Sequence, residues 1–372
     1  MNKKNIEAIY PLSPMQQGLL YHTLYDSQSA VYRTQYCYTL SGQIDYEIFQ
    51  RAWQKVIDRH QILRTLFTWK NTETPMQVVL RHIEFTCIYH DWNGCSEDEY
   101  HARLDEFMRK DRVKGFDLMS APSLRVNLIR KNYNIYRMII SFHHILMDGW
   151  SFNIVLNEVL TFYESLVAQK AVKLPEPRPF RDYIIWMQQQ GLSKAEAFWK
   201  NLLTPFAAPT DLRMSKPHNE VHGPDRYGEL KLELTESLSA ALVGTAKRYH
   251  LTLNSIFQGC WALIVSRYSD EDIVVFGSTS SGRQIPLQGV ENMVGLFINT
   301  LPVKVHAHQD ELLSEMLHKV QTQQAEAREY EYTPLQQIQS WCGLSAGKSL
   351  FDSIVVFENF PGRDGNEQRG KI

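Results

Sequence analysis

Two adjacent histidines followed closely by Asp-Gly, the segment HHILMDG at positions 143 to 149, are the residues of this 372-residue chain best suited to chemistry. An imidazole can take or hold a proton near neutral pH, and a glycine N–H can face a developing oxyanion. Neighbouring side chains on an extended segment point to opposite faces, so His143 and His144 are expected to face different spaces, one a channel and the other the core. The residues alone do not say which. Gly149 lacks a Cβ and so permits a tight turn or the close approach of a ligand. The plainer reading is a satisfied core histidine beside an ordinary turn, with Asp148 capping the helix that follows.

Competing chemistries fit less well. Adjacent histidines diverge rather than converge on one ion, and the chain has no H-E-x-x-H, which argues against a metal. GLSAG at 343 to 347 matches the G-x-S-x-G nucleophile elbow and would make Ser345 a nucleophile. Its context is inverted, however: the helix-like PLQQIQSW precedes it and the strand-like FDSIVVF follows, where an elbow needs strand then helix. GSTSSG at 277 to 282 lacks the P-loop lysine and reads as a tight loop.

The histidine motif must be held by a strand-to-helix connection, because the strand-like YRMIISF leads into it and helical spacing follows from Phe152 to Val167. Period-two or short apolar runs predict further strands at about 32–40, 77–80, 124–129, 135–142, 228–234, 273–276, 300–305 and 353–357. Helical spacing predicts helices over 46–59, 195–203, 238–249, 255–268 and 312–329. The fold class expected is therefore α/β, in the broad sense that includes α+β. The chain is long for one core at roughly 150 residues per domain. Proline-rich loops at 174–179 and 204–224 place the boundary near residue 175, giving lobes 1–175 and 176–372.

Composition narrows the setting. Hydrophobic residues make up 44% and charged residues 22%, the balance of a globular chain, and a formal charge of -2 offers no basic surplus for nucleic acid or an anionic membrane. The five cysteines, Cys37, Cys87, Cys95, Cys260 and Cys342, are scattered and odd in number, which suggests neither a disulfide framework nor a zinc site and fits a reducing cytoplasm. No targeting signal or membrane-spanning run is read from the sequence.

At HHILMDG the sequence resembles the condensation domains of nonribosomal peptide synthetases, within the wider family of chloramphenicol acetyltransferase. The likeness extends along the chain through YPLSPMQQGLLYH (10–22), DRHQILRTLF (58–67), FRDYIIWMQ (180–188), VVFGSTSSGR (274–283), MVGLFINTLPV (293–303), YEYTPLQQI (330–338) and SLFDSIVVFENF (349–360), all in the family's order. The resemblance implies two acetyltransferase-like lobes in a V-shaped pseudo-dimer with a tunnel between them. It makes His144 the catalytic residue that positions or deprotonates an acceptor amine, with Gly149 letting the substrate pass and offering its N–H. His143, Asp148 and Arg64 become supports, Asp148 pairing with Arg64. Trp150, Ser281, Gly282, Arg283 and Asn299 fall along the tunnel, although Trp150 and Ser151 read more readily as packing and helix cap. For Arg64 a helix-end charge, and for Asn299 a turn cap, are comparable readings.

The implied reaction is direct attack of one carrier-bound aminoacyl amine on another carrier-bound acyl thioester, with an L-configured donor slightly favoured. The implied partners are upstream donor and downstream acceptor peptidyl carrier domains and a neighbouring adenylation domain, the excised domain itself being monomeric. The substrates ride on the partners' phosphopantetheine, and no cofactor or metal belongs to this chain. The family continues past FENF, so the second lobe is expected to be truncated by the polar tail PGRDGNEQRGKI. A non-catalytic docking domain of the same fold is the alternative, followed by transfer to a small alcohol or amine, although the D-F-G-W-G motif of that branch is absent.

Overall fold

The computed structural model describes residues 3–26, 31–204, 210, 212, 228–308, 310–344, 349–358 and, as backbone, 369–371. The chain divides into two units, the first made of residues 1–188, 287–297 and 359–372 and the second of 189–286 and 298–358.

The first unit runs β1 (Ile6–Pro11), α1 (Pro14–Tyr25), β2 (Arg33–Ser41), α2 (Tyr46–Arg59), β3 (Thr65–Thr68), β4 (Met76–Leu80), β5 (Ile88–Asp91), α3 (Glu97–Lys114), β6 (Leu124–Arg130), β7 (Ile135–His143), α4 (Gly149–Val167) and α5 (Phe180–Gln188). Antiparallel β6, β7 and β2 lie at the centre of a five-stranded sheet, and β1, β4 and β3 form a smaller one. Helix α2 forms because Phe49, Ala52, Trp53, Val56 and Ile57 recur at helical spacing, and all five are buried. Phe152 of α4 stacks on Tyr36 of β2 with centroids 4.4 Å apart and on Phe142 of β7 at 5.4 Å, which fixes α4 against the central strands.

The second unit runs α6 (Ser193–Leu203), α7 (Glu236–Arg248), α8 (Leu253–Ser269), β8 (Ile273–Ser280), β9 (Asn299–His306), α9 (Leu313–Ala327), α10 (Leu335–Trp341) and the short β10 (Ile354–Val355). Its sheet orders β10-β8-β9, and Val274, Phe276, Val303 and Val305 face Met316, Leu317 and Val320 of α9. The final strand β11 (Arg369–Lys371) pairs parallel with β2 of the first unit.

Three sequence expectations are corrected. Residues 228–234 form no strand, and Leu230 and Leu232 are 97% and 82% exposed. Alternation supplies an apolar face, but a strand also needs a neighbour for its ladder. The division near residue 175 moves to 188, because Phe180 of α5 meets Phe297 edge-on at 5.2 Å and Tyr183 lies tilted against it at 4.6 Å, so that both belong to the first unit. The segment 287–297 also returns to that unit from within the expected second lobe. Ser345 and most of 204–224 lie outside the described residues. No described helix is long and apolar enough to cross a membrane.

Candidate active site

Strand β7 ends at His143, so His144 sits in the turn that follows rather than on the strand. That turn, not strict alternation, separates the two rings. His143 is 2% exposed; its Nδ1 accepts the Ile145 N–H at 3.1 Å and its Nε2 lies 3.1 Å from Thr23 Oγ1. Burial, reinforced by neighbouring His144 and Arg33, pushes its pKa down to about 3. His143 is therefore neutral near pH 7, with both nitrogens occupied. His144 is half-buried; its backbone N–H donates to Tyr32 O at 2.8 Å, while its ring Nδ1 is enclosed and has no hydrogen-bond partner among the described residues. Of the two rings, the second retains unused hydrogen-bonding capacity.

The Asp-Gly turn is tied down from far along the chain. Asp148 caps α4, its Oδ1 accepting the Ser151 N–H at 2.8 Å and its Oδ2 accepting the Phe297 N–H at 3.0 Å. Its own N–H donates to Gly295 O at 3.2 Å. Ser151 Oγ donates to Gly295 O at 2.7 Å and accepts the Gly295 N–H at 3.0 Å. Glycine at 295 allows this approach, since a Cβ there would lie 2.1 Å from the Phe180 ring. Trp150 Nε1 donates to Glu291 O at 3.0 Å, an anchoring role for the indole N–H. Gly149 is the first residue of α4 and has no positive φ, so the tight-turn reason for a glycine does not apply. Its N–H, at the start of the first helical turn, has no intrahelical acceptor.

Arg64 does not pair with Asp148. It ends a short turn of helix beside the small sheet, and its guanidinium donates to the Glu7 carboxylate of β1 and the Leu80 carbonyl at the end of β4. Arg64 therefore clamps two strands of the small sheet. Its partner Glu7 lies outside every family motif in the sequence.

In the second unit, Ser281, Gly282 and Arg283 form the loop after β8, with Gly282 at φ 67, a left-handed conformation that glycine adopts without strain. Ser281 is exposed and Arg283 buried. Asn299 ties the start of β9 to the 331–333 turn: its Nδ2 donates to Glu331 O at 2.8 Å and Thr333 O at 2.7 Å, and its Oδ1 accepts the Thr300 N–H. Glu331, 1% exposed, accepts from Ser280 Oγ and from the Gln284 N–H at 2.9 Å, and so braces the SGR loop. Sequence reasoning missed Glu331, although it stands inside YEYTPLQQI; it also missed Gln16 and Thr23 on α1. The S-x-x-Q box at Ser13 to Gln16 was the available signal for α1, and both of its reciprocal bonds are present. Among the described residues no three His, Cys, Asp or Glu side chains converge as metal ligands.

A model of the condensation domain matches residues 6–371. A linear gramicidin synthase from Brevibacillus parabrevis is 42% identical over 358 residues, which is 96% of this chain and 7% of that protein. Bacitracin synthase 1 of Bacillus licheniformis is 34% identical over 360 residues, 95% of this chain and again 7% of the relative. This chain thus corresponds to a small part of each. The first condensation domain of the calcium-dependent antibiotic synthetase, solved with a substrate analogue, shares the fold at a TM-score of 0.76 and 17% identity, covering 94% of this chain and 80% of its own. A holo four-domain nonribosomal peptide synthetase bound to AMP and glycine matches at 0.79 and 21% identity over 96% of this chain and 27% of that one. With this fold, this motif and a family match along almost its whole length, the chain belongs to the condensation domains of nonribosomal peptide synthetases.

Proposed function

We propose that this chain forms an amide bond by direct aminolysis between two carrier-bound substrates. The acceptor's α-amine attacks the donor thioester carbonyl; the C–N bond forms, the C–S bond breaks, and the donor's phosphopantetheine leaves as a thiol with the proton that nitrogen gives up. The observation that carries this reading is the contrast between the paired histidines. His143 is sealed and fully bonded, while His144 keeps hydrogen-bonding capacity a few residues before the Gly149 N–H that begins α4.

A free α-amine has a pKa of about 8, so a useful fraction is neutral at physiological pH and a strong base is not required. His144 then acts by orienting the amine, taking its proton as the C–N bond forms, and stabilising the tetrahedral intermediate, with the Gly149 N–H facing the oxyanion. The five cysteines are free thiols, consistent with work in the cytoplasm. Flanking carrier domains and an adenylation domain would supply the substrates, in line with the multidomain proteins that hold the related regions.

The test is transfer between a loaded donor carrier and a loaded acceptor carrier, followed by mass spectrometry of the acceptor arm. His144→Ala should lower the rate by about 10²- to 10⁴-fold, leaving a residue of activity from placement of two tethered reactants. Wild-type rates in that variant would refute the assignment. Carrier binding without any product from the unaltered chain would favour a docking role, and transfer from coenzyme A to a small amine would favour the broader acyltransferase reading.

A further inference from the structure

The turn that presents His144 is held at every peptide around it. The His144 N–H donates to Tyr32 O, the Ile145 N–H to His143 Nδ1, and the Leu146 N–H to His143 O at 3.1 Å. The Ile145 carbonyl accepts from Gln16 Nε2 at 3.1 Å, and Gln16 is itself fully buried and bonded to Gln77. One of these four ties depends on a proton being absent. His143 Nδ1 can accept from Ile145 only if it carries no hydrogen, so the single proton of the neutral ring must sit on Nε2.

Nε2–H then needs an acceptor, and Thr23 is the residue there. Its hydroxyl hydrogen is committed to Leu19 O at 2.7 Å, one turn earlier on α1, which leaves Oγ1 as an acceptor facing Nε2 at 3.1 Å. The chain of bonds from Leu19 O through Thr23 and His143 to the Ile145 N–H therefore runs in one direction and admits one tautomer.

We propose that Thr23 is a positioning residue: by fixing His143 as the Nε2–H tautomer it secures the Ile145 peptide and so sets the backbone on which His144 is carried. This rests on the reading of His144 as the residue that meets the substrate. Without the Thr23 oxygen the Nε2–H would be buried unsatisfied, so the His143 ring gives up that tautomer and its proton moves to Nδ1. That move sets two donors against each other at Ile145. The backbone would yield there, and a misplacement on the order of 1 Å at a reacting group can cost about 10²-fold in rate.

The test uses the whole chain with carrier-bound substrates, together with ¹⁵N NMR of histidine-labelled protein, the His143 ring being assigned by its loss in His143→Asn. Unaltered protein should show the Nε2–H signature. Thr23→Val, which keeps the β-branched shape, should lose that signature and lower kcat by about 10- to 100-fold with KM little changed. Thr23→Ser should restore both. An Nδ1–H ring in the unaltered protein would overturn the proposal, and this arm needs no activity and no Thr23 variant. Full activity in Thr23→Val would overturn it as well, as would a rate loss with the ring signature unchanged. If the unaltered chain makes no product, the functional reading falls separately, and the tautomer and the His144 ring shifts in Thr23→Val and Thr23→Ser decide whether the lock acts on His144.

Discussion

The two histidines differ in burial, His143 being 2% exposed and His144 only half-buried. An isolated imidazole titrates near 6.5, whereas burial holds the His143 ring neutral down to about pH 3. Between those values the unfolded chain binds a proton that the folded chain refuses, so the unfolded state gains as the solution is acidified. The contribution of His143 is fully present above about pH 6.5 and is lost as pH falls toward 3, with a limiting slope of about 1.4 kcal/mol per pH unit. His143→Asn removes this titration. Urea titrations at several pH values should give a shallower decline across that window for the variant than for the parent, and equal slopes would mean that the ring titrates in the folded protein as it does in water.

Among the elements, α4 is the one whose start matters most. Its cap, Asp148, holds two groups at once: one carboxylate oxygen closes the first turn of the helix and the other holds the Phe297 N–H. Asp148→Ala should therefore cost more than an ordinary exposed cap, about 1 to 3 kcal/mol in urea denaturation, because it strands a buried backbone donor as well as fraying the helix. Asp148→Asn keeps an oxygen for one of the two bonds and should fall between. If alanine is tolerated without loss, the cap is not what fixes the turn.

The molecule as a whole weaves its first unit from separated stretches of chain. Residues 287–297 supply Glu291, Gly295 and Phe297, which bond to Trp150, Asp148 and Ser151 and pack on Phe180 and Tyr183. A polypeptide ending after Gln188 would keep the small sheet, four strands of the larger one and α4, but lose β11 and every one of those partners. Its urea midpoint should lie well below that of the first unit within the intact chain, followed by hydrogen exchange at Asp148 to Phe152. Equal protection in both would show that the return segment is dispensable to the site.

What could be read along the chain was whatever repeats or clusters locally. The HHILMDG motif, the helical spacing of Phe49, Trp53, Val56 and Ile57, and the strand preceding the histidines all carry their signal within a few residues. Together with the ordered run of motifs they gave the α/β class and the family. Helices α1 and α3 were missed although both open on a capping box, because their apolar faces are sparse. The alternating 228–234 segment was misread, since pairing depends on a neighbour that alternation does not supply. Packing settled the rest: that His143 is sealed while His144 is not, that Arg64 meets Glu7, and that Asp148 and Ser151 are held by residues well over a hundred positions away. Burial and hydrogen-bond partners are properties of distances in space, and a distance between two remote residues exists only once the chain has folded.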